Sequence, residues 1–234
     1  MIYDVLASYY DALVKDEEAT AAWVELIQRH VSGKEVMEVA CGSGEITIAL
    51  AQKGYHMHAS DISPAMIEAA KAKAGAELVE WSIMDMRQLQ GGTYDGILCL
   101  CDSFNYLLEA EEVVPLSFSA PMRTSTKAAC SSWTCTAWTD CANLKKNTMK
   151  PAWWALMNIS GPSKARTTAS IRPSRSMMKR RPALEQHIQR VYDPTWIMEQ
   201  LRACGYAVQV CTDFTQEGIT EGEKQFYICR KETA

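Results

Sequence analysis

Apolar positions change periodicity along the first hundred residues, and the change predicts the order of helices and strands. Apolar residues recur at helical spacing over residues 3–13 and 20–30. Short apolar runs typical of buried strands follow at 34–40, 55–60, 77–82 and 94–101, with helical stretches ending near Ala51 and Ala74. The second of these helices is expected to begin with Ser63 as its N-cap and Pro64 at its first position. This alternation predicts an α/β fold, a doubly wound Rossmann-like parallel sheet with helices on both faces.

The last fifty residues predict the elements that close the sheet. They read as a strand at 185–192, a helix at 194–203 that ends before Gly205, and strands at 206–212 and 225–230. We therefore expect a single domain over 1–234. Its parts are N-terminal helices (1–32), a ligand-binding half (33–116), an anomalous basic segment (117–183) and C-terminal strands and helix (184–234).

The basic segment 117–183 has the composition of a different protein. It holds 12 of the 24 Lys and Arg but only one of the 28 Asp and Glu, so its net charge is +11 while the rest of the chain carries −15. It also holds four of the seven Trp, a single Gly and no Val, with no sustained periodicity. Three interpretations compete: a nucleic-acid-binding insert, a disordered linker, or a stretch translated out of frame.

The genetic code favours the third interpretation. Suppose each true codon takes the third base of one written codon and the first two bases of the next. Because Trp has a single codon, the pairs Trp133-Thr134 and Trp138-Thr139 must then encode Asp. Residues 127–136 can be read as GGLLFVDMHS, followed by MDRLREFEEEYNEA, which is a glycine pair, an apolar strand and an acidic amphipathic helix. We hypothesise that the frame shifts near Leu116 and returns near Leu184.

Candidate chemistry lies at the carboxyl ends of the predicted strands, where open α/β sheets bind ligands. Gly42 and Gly44 allow a tight turn that brings backbone amides close to a ligand. Acids end or follow the first three strands at Glu38, Asp61 and Asp85. We expect a site without basic side chains, which suits a cationic nucleoside such as S-adenosylmethionine better than a phosphorylated one.

Four segments resemble, in order and spacing, the motifs of class I S-adenosylmethionine-dependent methyltransferases. They are EVMEVACGSGEIT, ASDISPAMIEAAK, IMDMRQL and YDGILCLCDSFNYL. The resemblance is greatest to small stand-alone bacterial enzymes and covers about residues 1–116 and 184–234. Two departures stand out: Ala40 replaces a common glycine, and the family's fifth strand is missing from the written text, although the shifted frame contains it. The resemblance thus implies a seven-stranded sheet whose fifth-strand region is disrupted.

The resemblance also implies a function and a set of cofactor-binding residues. The chain would transfer a methyl group from S-adenosylmethionine to an unidentified nucleophilic acceptor. Glu38 would position the loop and the ammonium group, Asp61 would bind the ribose and Asp85 the adenine amine. The other expected cofactor-binding residues are Tyr10, Gly42, Ser43, Gly44, Ile62, Met86 and Cys101. No catalytic base and no metal ligand are assigned.

Two other functions remain as alternatives. A nicotinamide-dependent oxidoreductase is disfavoured by Thr47, which replaces the Gly or Ala of a dinucleotide-binding fingerprint, and by Asp85. A nucleic-acid-binding protein would use the basic segment. Nine cysteines in no regular spacing indicate reduced thiols in the cytoplasm, and neither a secretory signal nor a membrane span is predicted.

The acceptor side is less well specified. Asn105 and Tyr106, beyond the fourth strand, are candidates to contact the acceptor. His187, Arg190 and Tyr192 alternate on a strand that either covers the acceptor pocket or serves the structure alone. The oligomeric state is not predicted.

Overall fold

The computed structural model describes residues 7, 10–11, 15–89, 93–116, 130–133, 166–171, 185–222 and 224–231. Its helices are α1 (Glu17–His30), α2 (Glu45–Gln52), α3 (Pro64–Lys71), α4 (Ala110–Leu116) and α5 (Pro194–Ala203). Its strands are β1 (Glu35–Val39), β2 (His56–Asp61), β3 (Val79–Ile83), β4 (Gly96–Cys99), β5 (Cys130–Trp133), β6 (Arg166–Ile171), β7 (Glu185–Arg190), β8 (Tyr206–Thr212), β9 (Gln216–Glu217) and β10 (Gln225–Lys231).

One large sheet organises the fold. Its strand order is β3-β2-β1-β4-β5-β10-β8-β9, with β1 to β5 parallel and β10 antiparallel to both of its neighbours. This confirms the predicted doubly wound α/β architecture. The described sheet has eight strands rather than seven, because the short β9 pairs with the outer edge of β8. β6 and β7 form a separate antiparallel pair.

The backbone of the written chain does form a fifth strand, so the expectation that this strand is disrupted is wrong at residues 130–133. β5 pairs in parallel with β4, with Leu98 opposite Ser132, and antiparallel with β10 on its other side. Ladder hydrogen bonds come from the backbone, so a run without proline can occupy the position even when its side chains are polar. The rest of the basic segment, apart from β6, lies outside the described residues.

Capping residues set where several helices begin. Asp16 accepts from the Ala19 amide, so α1 begins at Glu17, three residues before the predicted start. Ser63 accepts from the Met66 amide and Pro64 occupies the first turn of α3, as predicted. α5 follows Asp193 and has the predicted bounds. The predicted helix over 3–13 falls mostly outside the described residues.

Apolar side chains cover both faces of the sheet. On one face, Trp23 of α1 packs edge-on against Phe226 of β10 with ring centroids 4.8 Å apart. On the other face, Tyr192 stacks on Trp196 of α5 at 5.1 Å. A sheet buried on both sides explains why its central strands are almost entirely apolar.

The connection from β1 to α2 turns through left-handed backbone. Ala40, Gly42 and Gly44 have φ angles of +53°, +55° and +75°. This turn lies where β1 has β2 on one side and β4 on the other, so successive connections diverge from it. Glycine takes such angles freely, whereas Ala40 is strained by its Cβ.

Replacing Ala40 with glycine should therefore stabilise the protein. We expect Ala40→Gly to raise the free energy of unfolding by about 0.5–1 kcal/mol. The relief of left-handed backbone strain stabilises the folded state, and the greater entropy of glycine in the unfolded chain offsets part of that gain. Urea denaturation measures this. Ala49→Gly, in the interior of α2, should instead lower stability by about 1 kcal/mol. Equal losses in both variants would show that Ala40 is not strained.

Candidate functional site

A cavity of about 570 Å³ opens at the carboxyl ends of β1, β2 and β4. Its volume is in the range of small-molecule sites, and its place is the one that this sheet topology favours. All ten residues expected to bind the cofactor lie on its wall: Tyr10, Glu38, Gly42, Ser43, Gly44, Asp61, Ile62, Asp85, Met86 and Cys101. The fold thus brings the predicted set together, while the role of each residue stays a prediction.

The glycine turn is shaped by close packing on one side and open space on the other. A Cβ on Gly44 would overlap the Trp81 indole ring and lie 3.2 Å from the Ala70 side chain. A Cβ on Gly42 would meet no atom within 4 Å. Gly44 is therefore required by packing, while Gly42 exposes backbone to the cavity that it lines.

Asp61 ties the end of β2 to the glycine turn. Its Oδ2 accepts from the Gly42 amide at 2.9 Å, and its Oδ1 accepts from the Ser63 amide at 2.8 Å. Burial raises the pKa of the Asp61 carboxyl, and these amide bonds oppose that rise. Each carboxylate oxygen keeps further acceptor capacity for a ligand in the cavity.

Glu38 is a buried acid that is hydrogen-bonded to Thr47, the residue that departs from the dinucleotide-binding fingerprint. Thr47 Oγ1 donates to Glu38 Oε2 at 2.6 Å, and both residues are buried. Burial raises the pKa of Glu38 to about 7, and the Asp61 charge acts in the same direction. Thr47 thus has a structural explanation, and Glu38 is poised to ionise when a cation binds.

The expectation of a site without basic side chains is wrong at Asp85. The guanidinium of Arg87 binds this carboxylate, with Nε 3.0 Å from each oxygen, and also reaches Glu112 at 2.7 Å. The Arg87 bonds hold the pKa of Asp85 below its usual value. Arg87 lies only two residues after Asp85, so its long side chain can fold back onto the carboxylate. The sequence pattern did not reveal this contact. Asp85 still lines the cavity.

Several wall residues beyond β4 were not predicted. Asp102 and Ser103 follow Cys101 on the wall, and Ser103 Oγ donates to the Ala40 carbonyl at 3.2 Å. Met84 and Lys224 line the same cavity. The polar run directly after a buried strand was the available signal for Asp102 and Ser103, because such runs lie at the ligand-binding edge.

The strand β7 is fastened to this wall. Gln189 donates to the Asp102 carboxylate, and Arg190 Nη1 donates to the Leu108 carbonyl at 2.7 Å. Tyr192 is buried and donates to the Leu107 carbonyl at 2.7 Å, so it has a structural role. The side chain of His187 lies outside the described part of the chain.

The other candidates divide between wall and core. Tyr106 lines the cavity, whereas Asn105 is fully buried. Cys99 is buried in the core. Among the described residues, no group of three His, Cys, Asp or Glu side chains is placed to hold a metal ion. Within that same part, no helix combines the length and apolar character that crossing a membrane requires.

Comparison with known proteins agrees with this geometry. The family profile described as a methyltransferase domain matches residues 36–118. A provisionally assigned methyltransferase of Geobacillus sp. (strain WCH70) is 35% identical over 122 residues, covering 48% of this chain and 49% of that protein. A second, from Bacillus subtilis (strain 168), is 34% identical over 118 residues, covering 49% and 47%. The chain thus spans about half the length of the curated relatives that it matches.

The whole fold also has counterparts among solved structures. The structure of an S-adenosylmethionine-dependent methyltransferase from Clostridium acetobutylicum ATCC 824 superposes with a TM-score of 0.71, covering 99% of each chain at 16% identity. At that identity the likeness shows the fold alone.

The raised pKa of Glu38 predicts a pH-dependent stability of the empty protein. The folded state binds the extra proton between the ordinary pKa of 4.5 and about 7, so this residue costs stability as pH rises through that window. Glu38→Gln should therefore stabilise the protein by roughly 2–3 kcal/mol at pH 8 and change little near pH 4. Urea denaturation at both pH values measures it, with the exposed Glu77→Gln as control. A pH-independent difference between Glu38→Gln and wild type would contradict the shift.

Proposed function

We propose that the chain is a class I S-adenosylmethionine-dependent methyltransferase, which transfers the methyl group of this cofactor to a nucleophilic acceptor. The methyltransferase-domain profile over residues 36–118 and the similarity to bacterial methyltransferases support this proposal. The observation that carries the proposal is the turn after β1. There the buried Asp61 carboxylate holds the Gly42 amide beside a cavity large enough for a nucleoside. The buried Glu38 and Asp61 supply negative charge that suits a sulfonium bearing an ammonium group.

Each part of the cofactor has fitting residues on the cavity wall. Gly42, Ser43 and Gly44 would pack on the methionine moiety, with Glu38 orienting the turn and the ammonium group. Asp61 would accept from the ribose hydroxyls, using acceptor capacity left by its bonds to backbone amides, and Asp85 would accept from the adenine amine. The side chains of Ile62 and Met86 would cover the ring faces. Ile62 is 49% exposed on this wall, so its side chain is accessible to a ligand in the cavity.

The protein's contribution to the reaction is positioning and exclusion of water. When bound, S-adenosylmethionine would supply an activated methyl group: the acceptor's lone pair would form the new bond to carbon while the electron pair of the carbon–sulfur bond stays on sulfur as a thioether. Tyr10 and Cys101 lie on the wall where they would enclose the reacting groups. Holding acceptor and donor in line replaces an encounter in solution, an effect that is worth several kcal/mol of the barrier.

We infer that the acceptor enters beside residues 101–106. Asp102, Ser103 and Tyr106 line that part of the cavity. Gln189 and Arg190 of β7 bind the same wall from outside, which supports a fixed geometry there. We also propose a cytoplasmic location, in line with nine cysteines in no regular spacing.

Calorimetry with S-adenosylmethionine tests the function. The wild-type chain should bind it, and Asp61→Asn should weaken binding at least about tenfold, because an amide cannot accept at both oxygen positions. Asp95→Asn is a matched control, since Asp95 also accepts two backbone amides, those of Lys34 and Glu35 at the other end of β1. It should leave binding unchanged. Absence of binding by the wild-type chain, or equal losses in both variants, would refute the assignment.

We further propose that the segment 117–183 is an out-of-frame translation in an otherwise ordinary member of the family. Two observations support this. The family match ends at residue 118, where the basic segment begins. In addition, β5 lies within the stretch that the shifted frame reads as an apolar strand. Two of the shifted codons take their second and third bases from the written codons of Cys130 and Trp133, so both end in TG. Codons that end in TG with T in the second position encode only Leu, Met or Val.

Intact mass and tryptic peptide mapping of the protein purified from its source organism decide the reading frame. We expect acidic peptides containing the FVDMHS sequence in place of the written 117–183. Peptides that match the written text would overturn the proposal and favour a basic insert, whose binding to nonspecific RNA should then weaken with salt.

A further inference from the structure

A cluster of charged side chains lies directly behind the glycine turn. Lys73 Nζ donates to the Asp11 carboxylate at 2.8 Å, to Ser43 Oγ at 3.0 Å and to Glu45 Oε1 at 2.7 Å. Ser43 Oγ in turn donates to Asp11 at 2.6 Å. The Lys73 side chain is only 17% exposed. One ammonium group therefore joins three parts of the chain that are far apart in sequence.

The acceptors of Lys73 all belong to the cavity wall. Asp11 follows Tyr10 on the N-terminal side of the wall, Ser43 is the centre of the glycine turn, and Glu45 is the first residue of α2. Lys73 itself, just beyond α3, is not one of the lining residues. It can thus act on a ligand only through the residues that it holds.

We propose that Lys73 is a positioning residue that fastens the N-terminal wall to the glycine turn and thereby sets the affinity for S-adenosylmethionine. The proposal rests on the proposed function. Charge-assisted hydrogen bonds from a largely buried ammonium are among the stronger polar contacts. Without that charge, Asp11 and Glu45 would repel each other across Ser43. Asp11 would then no longer be held in place, and neither would its neighbour Tyr10.

The sign of the effect separates positioning from simple electrostatics. Removing a positive charge near the cavity would, by field alone, favour the cationic cofactor over its neutral thioether product, S-adenosylhomocysteine. Loosening the wall would instead weaken both ligands to the same extent. A purely structural lysine would lower the melting temperature without changing either dissociation constant below it.

Calorimetry with both ligands on Lys73→Met, Lys73→Arg and Lys71→Met tests the proposal. Methionine keeps much of the aliphatic stem, and we expect both ligands to bind about tenfold more weakly to this variant. Arginine restores the charge and should return affinity to within about threefold of wild type. Lys71, which is half exposed and pairs with Glu68, is the matched control and should change nothing.

A double-mutant cycle with Asp11→Asn completes the test. Asp11→Asn alone should weaken both ligands, and the double variant with Lys73→Met should bind no more weakly than Lys73→Met. Additive losses, unchanged affinity in Lys73→Met, or a loss confined to S-adenosylhomocysteine would each overturn the proposal. Lack of binding by the wild-type protein would instead refute the proposed function, so the two failures are distinguishable.

Discussion

The carboxylate of Asp61 is the contact on which the arrangement of the site depends. It joins the end of β2 to the turn after β1 by accepting the amides of Gly42 and Ser63. The turn can donate the Gly42 amide because its backbone is left-handed at Ala40, Gly42 and Gly44. Two neighbouring strands are thereby held with their carboxyl ends around one cavity, and the wall residues follow from that geometry.

The same geometry places unfavourable charge in the protein. Glu38 and Asp61 are both buried, and burial raises the pKa of each. An empty site therefore costs stability near neutral pH, and a cationic ligand would recover part of that cost. Ala40 adds backbone strain at the same turn. Such local costs are typical of residues retained for binding rather than for folding.

Sequence patterns predicted what depends on local periodicity and on strand ends. The succession of elements along the chain, the Ser63 cap, and the glycines and acids at the strand ends follow from such signals. The resemblance to the methyltransferase family supplied the other predicted wall residues. Contacts that long side chains make across the fold were not predictable. Arg87 reaches Glu112, which is 25 residues away in sequence, and Lys73 reaches Asp11, which is 62 residues away. The written residues of β5 do not have the apolar pattern of a buried strand, but backbone pairing does not require that pattern.

Hydrogen exchange at individual amides, with and without S-adenosylmethionine, tests the central claim most directly. The amides of Gly42 and Ser63, which Asp61 holds, should exchange at least about tenfold more slowly when the cofactor is bound. The amides of Lys34 and Glu35, which Asp95 holds at the opposite end of β1, should show only the uniform protection of the whole domain. Equal protection at both ends, or none, would contradict the assignment of this turn as the cofactor site.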